Sequence, residues 1–107
     1  MKIILSPQRR DQSLVVLKSG NVLTVNGEDF DFSPIADGDT LPASAINSEW
    51  FFDKVENINK ELELTLILPI PENFSPEQAF PLPLLDVADG PVAFPKPLPE
   101  PVEELQQ

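Results

Sequence analysis

The chain has 107 residues, enough for one domain, and its 41% hydrophobic content allows a small core. Cysteine and histidine are both absent, which excludes disulfides, thiolate metal sites, cysteine nucleophiles and histidine acid–base chemistry. A formal net charge of -11, with only seven basic residues, argues against direct binding to nucleic acid or an anionic membrane, because both require clustered Lys and Arg. Thirteen prolines, more than double the usual share, disfavour a long helical bundle.

Met1 to Leu5 reads as a first strand that ends at Ser6-Pro7, since proline cannot donate to a ladder. The opening MKIILSPQRR becomes polar too soon for a secretory leader, and no stretch has the length of a membrane-spanning helix. The expectation is a soluble protein made in the cytoplasm. Gln8 to Gln12 is a polar loop in which Arg9-Arg10 reads as a solvated basic pair.

Leu14-Val15-Val16-Leu17 is a continuous apolar run, expected to form a strand covered on both faces. Ser19-Gly20-Asn21 supplies a turn. Asn21 to Val25 and Glu28 to Phe32 then flank Asn26-Gly27, a pair that favours a type I′ hairpin turn. Phe30 and Phe32 alternate with Asp29 and Asp31, the pattern of a half-buried strand. These segments make a three-stranded antiparallel meander.

Ser33 to Ser48 is a long connection punctuated by Pro34, Asp37-Gly38 and Pro42, with one helical turn expected near Leu41 to Ile46. A second hairpin follows. Its first arm is Glu49 to Ile58, carrying the aromatic cluster Trp50-Phe51-Phe52. Its second is Glu61 to Leu68, where Leu62, Leu64, Leu66 and Leu68 share one face. Pro69 and Pro71 are expected to end it. Ser75-Pro76-Glu77-Gln78 has the form of a short helix start, with Ser75 as N-cap. Leu82 to Ala88 suits an edge strand, Asp89-Gly90 a turn, and Val92 to Phe94 a last short strand.

The fold class that follows is mainly β: a small antiparallel β-sandwich or partly open barrel over residues 1–94. Leu23, Val25, Phe30, Phe32, Trp50, Phe52, Leu62, Leu64 and Leu66 are the expected core. From Pro95 the composition changes to PKPLPEPVEELQQ, expected as an exposed, largely disordered, acidic, proline-rich tail over residues 95–107.

Candidate sites are few. Glu28, Asp29, Asp31, Asp37 and Asp39 form an acidic cluster, but their spacing does not match a calcium loop, and solvated strand and turn acids account for them. Paired-carboxylate glycosidase chemistry lacks an evident cleft. Ser and Lys residues are present without a nucleophile elbow or an S-x-x-K setting. The expectation is therefore no enzyme, no cofactor and no metal. Partner contacts are the remaining class. Phe51 must point opposite to its neighbours if all three aromatics lie in one strand, so it is a candidate contact residue. Pro95, Pro97, Leu98 and Pro99 are candidates as a preordered extended ligand, although they do not form a good P-x-x-P motif.

The phrases SGNVLTVNGEDFDFSP, LPASAINSEWF, LTLILP and DGPVAFP, taken in that order, resemble a family of small uncharacterised proteins encoded in phages and prophages of proteobacteria, in or near tail genes. The resemblance covers residues 1 to about 95 and rests chiefly on NGEDFDFSP and SEWF. It implies a virion or tail-assembly accessory role, with phage tail components as protein partners and homo-oligomers left open. It supplies no activity, cofactor or site residue. The alternative expectation, motivated by charge alone, is an acidic mimic of nucleic acid that inhibits a host DNA-binding protein.

Overall fold

A computed structural model describes residues 1–98 of the chain. Its architecture is the mainly β one that the sequence implies, built from two four-stranded sheets with no closed barrel among the described residues.

The first sheet runs in the order β1-β7-β6-β5, where β1 is Lys2–Arg9, β5 Thr40–Pro42, β6 Phe51–Ile58 and β7 Glu61–Ile70. The second runs β4-β3-β2-β8, where β2 is Val16–Ser19, β3 Val22–Val25, β4 Glu28–Asp31 and β8 Gly90–Pro91. The meander of β2, β3 and β4 forms as expected. Asn26 (φ 49°) and Gly27 (φ 86°) both take the positive φ that a type I′ turn demands. The Asn26 side chain also ties down the segment before β2. Its Oδ1 accepts from the Val15 amide at 2.7 Å, and its Nδ2 donates to the Ser13 carbonyl at 3.0 Å.

One pairing departs from the antiparallel scheme. β1 runs parallel to β7, in register from Lys2 opposite Glu63 to Arg9 opposite Ile70. A parallel neighbour needs a long crossover, so nothing local in the sequence marks it. β1 also runs through Pro7, and β7 through Pro69, where the sequence predicts strand ends. Alternation explains both. The Ile3 amide and carbonyl exchange hydrogen bonds with Leu84 at 2.9 and 2.8 Å, away from β7. Two and four residues on, Leu5 and Pro7 face the same way, so the ring nitrogen of Pro7 points out of the ladder. The Ile70 carbonyl faces β1, accepting from the Arg10 amide at 3.4 Å. Pro69 therefore faces the opposite side, beyond the last residue of β6 to pair with β7, Phe51 opposite Leu66.

The core between the sheets is Ile3, Leu5, Val16, Leu23, Val25, Phe32, Trp50, Phe51, Val55 and the leucines of β7. Two expectations are corrected here. Phe52 is 50% exposed, whereas Phe51 is buried at 6%. Trp50, just before the strand, is also buried. A bulge between Phe52 and Val55, with Asp53 at φ 67°, adds two residues and returns Val55 to the inner face. The apolar run around β2 is also not covered on both faces: Val16 is buried, while Val15 and Leu17 are exposed.

The long 33–48 connection contains β5, unforeseen from the sequence, followed by a 3-10 turn at Ala43–Ala45 with Pro42 as its N-cap. Arg10 is not simply solvated. Its guanidinium sits 5.0 Å from the centre of the Trp50 ring and bonds Glu49 at 3.1 Å. Leu82 to Ala88 forms no ladder but adds a single bridge, Leu84 to Ile3, at the outer edge of β1.

Candidate functional site

The sequence singled out Phe51 and the Pro95 to Pro99 run, and the structure separates them. Phe51 lies inside the sandwich, packed edge-on against Phe30 at 5.1 Å and Phe32 at 5.6 Å between ring centres. A ring so enclosed is part of the core and not a contact surface, which corrects that expectation; the exposed aromatic of the cluster is Phe52.

Pro95 to Leu98 is held against the body. The short helix α1, Pro76–Ala79, starts with a capping box. The Gln78 amide donates to Ser75 Oγ, and the Ser75 amide donates to Gln78 Oε1, each at 3.2 Å. The same two side chains reach the proline-rich segment. Ser75 Oγ donates to the Lys96 carbonyl at 2.6 Å, and Gln78 Nε2 donates to the Pro95 carbonyl at 3.4 Å. Asn73 completes the clamp: its carbonyl accepts from the Leu98 amide at 3.1 Å, and its Nδ2 donates to the Leu98 carbonyl at 3.0 Å. Both Ser75 and Gln78 are buried, the two buried polar side chains among the described residues. Residues 95–98 thus belong to the folded body. Pro99 lies outside the described residues, as does the remainder of the expected tail.

Large apolar side chains stand exposed in the segment that follows α1. Phe80 is 83% exposed, Leu82 82% and Leu85 66%, with Phe74 and Leu98 also open to solvent. Phe80, Leu82, Leu84 and Pro95 line a shallow hollow of 220 Å³ beside Glu77. The sequence assigned Leu82 to a strand and so missed this ledge. The signal was present in the prolines at 81, 83 and 95, which keep the chain out of a ladder and leave its large side chains without a sheet to cover.

The acidic residues have structural work. Asp29 Oδ1 accepts from Thr24 Oγ1 at 2.6 Å, Asp37 Oδ1 from the Lys60 amide at 3.2 Å and Asp39 Oδ2 from the Ala36 amide at 3.2 Å. Asp31 accepts from the Ser33 amide at 2.9 Å, and that bond, with a further one from the Ser33 side chain, holds its carboxyl below the usual aspartate range. Among the described residues no group of three or more acidic, Cys or His side chains is arranged to hold a metal ion, and no helix is long and apolar enough to cross a membrane. In comparisons with known proteins, no family model, curated protein or solved structure matches this chain.

Proposed function

We propose that the protein is a non-enzymatic accessory of phage or prophage tail assembly that works through protein–protein contacts. The observation that carries the reading is the apolar ledge: Phe80 and Leu82 stand more than four-fifths exposed on a backbone pinned nearby by the Ser75, Gln78 and Asn73 clamp. Burying a side chain of this size on a partner yields about 1.5 to 3 kcal/mol. Grouped exposure of Phe and Leu on a held surface is the usual mark of an interface. The tail-assembly context rests on the resemblance of NGEDFDFSP and SEWF to phage-encoded proteins.

The second reading is the acidic mimic of nucleic acid, favoured by the net charge of -11. The two differ in their salt dependence, because charge-driven binding is screened and apolar contact is not.

The test is affinity capture from phage-induced source cells, using the full chain and a Phe80→Ala/Leu82→Ala double variant, each at low and high salt. The assembly reading expects tail components that persist at high salt and disappear with the double variant. Capture of a basic host DNA-binding protein that is lost at high salt and indifferent to the double variant would replace it with the mimic.

A further inference from the structure

The two sheets leave two seams, and the chain treats them differently. The seam between β1 and β8 is bridged by the protein itself, through the Leu84–Ile3 pair and the Val87 amide, which donates to the Met1 carbonyl at 3.1 Å. The other seam, between the outer edges of β4 and β5, has no bridging strand among the described residues. It opens as a 650 Å³ cleft.

Its floor is apolar, made by Phe30, Ile35, Leu41 and Ile46, all half-buried against the core. Its rim is acidic: Asp29, Asp31 and Asp39. One oxygen of each rim carboxylate is engaged by the neighbouring Thr24, Ser33 or Ala36, which fixes the group in place. Among the described residues no basic side chain lines the cleft.

Both walls also offer backbone. The Phe32 amide donates to Asn21 on the β3 side, so alternation turns the amides and carbonyls of Asp29 and Asp31 outward. The Asp39 carbonyl accepts from Asn57 on the β6 side, so the amide and carbonyl of Thr40 turn outward in the same way. An unpaired edge of this kind is a template for strand addition.

We propose that this seam binds an extended basic segment of another protein by strand addition. Apolar side chains on one face of the segment would enter the floor, and its Lys or Arg residues would meet the three aspartates. Charge decides the occupant. A second copy of this chain would bring another acidic surface to an acidic rim, whereas a basic segment is complementary. The inference goes beyond the assembly reading and does not depend on what the Phe80 ledge contacts.

The probe is a synthetic peptide of alternating Lys and Val, with a Glu-for-Lys counterpart, titrated into the full isotope-labelled chain at low salt. The expected result is shifted amide signals at Asp29, Asp31 and Thr40 with the basic peptide and none with the acidic one. The Asp29→Asn/Asp31→Asn variant, whose amide oxygens keep the Thr24 and Ser33 contacts, should bind about tenfold more weakly. Leu41→Lys, which places a like charge in the floor itself, should weaken it further while the spectrum stays folded. Shifts confined to other surfaces, equal binding of the acidic peptide, or unchanged affinity in the aspartate variant would overturn the proposal.

Discussion

Lys18 and Asp89 face each other at 2.7 Å across the junction of β2 with the turn that leads into β8. The same carboxylate oxygen accepts from the Gly20 amide at 3.1 Å, so one side chain holds both the β2–β3 turn and the start of β8. The Lys18 hydrogen bond first, then the Gly20 amide and the Lys18 charge, hold the Asp89 carboxyl below the usual aspartate range.

The sign of its pH effect follows from that lowering. A carboxylate whose pKa is lower in the folded state contributes stability above its unfolded value, near about pH 4, and loses it as pH falls through the folded value. Asp89 is exposed, so the effect should be local. The protection of the Val92 amide from hydrogen exchange, measured against the intrinsic rate at each pH, should fall below about pH 4 in the natural chain, where this amide bonds the Val16 carbonyl at 2.9 Å. In Asp89→Asn the protection should already be lower at neutral pH and change little with acid.

The aromatic cluster allows a paired test. Phe51→Ala removes a buried ring that touches Phe30 and Phe32 and should cost about 3 to 5 kcal/mol in chemical denaturation. Phe52→Ala removes a half-exposed ring and should cost less than about 1 kcal/mol. Similar losses for the two would contradict the strand start at Phe51.

Asn26 has two tasks, the turn and the tether. Asn26→Gly keeps the positive φ but loses the bonds to Val15 and Ser13, and should cost about 1 kcal/mol. Asn26→Ala loses both and should cost about 2 to 3 kcal/mol. No cost for Asn26→Gly would mean that the tether is idle.

The clamp on the proline-rich segment is tested at Ser75. Ser75→Ala removes the α1 cap and the bond to the Lys96 carbonyl, and should cost about 1 to 2 kcal/mol. The Leu98 amide should lose its protection from exchange in the same variant. Unchanged protection at Leu98 would show that Asn73 alone holds the segment.

The parts of the fold that were legible in the sequence are those set by neighbours in the chain. Asn26-Gly27 specifies its own turn, the leucines of β7 alternate without interruption, and Ser75-Pro76-Glu77-Gln78 contains both halves of its capping box. The rest depends on distant partners. The parallel match of β1 to β7 joins residues about sixty apart, and no local pattern encodes it. Pro7 and Pro69 read as strand ends because a sequence does not show which side of a strand is open. The β4–β5 seam was illegible for a related reason: it is defined by what fails to cover it. Leu82 reads as part of an edge strand until the absence of a ladder there is seen.

The most direct test of the assembly role is to quantify the protein by mass spectrometry in purified particles and in tail-assembly intermediates from induced cells, comparing the natural chain with Phe80→Ala/Leu82→Ala. The expected result is a fixed ratio to a tail component in at least one of these fractions, abolished by the double variant. Absence of the natural chain from both particles and intermediates would contradict it.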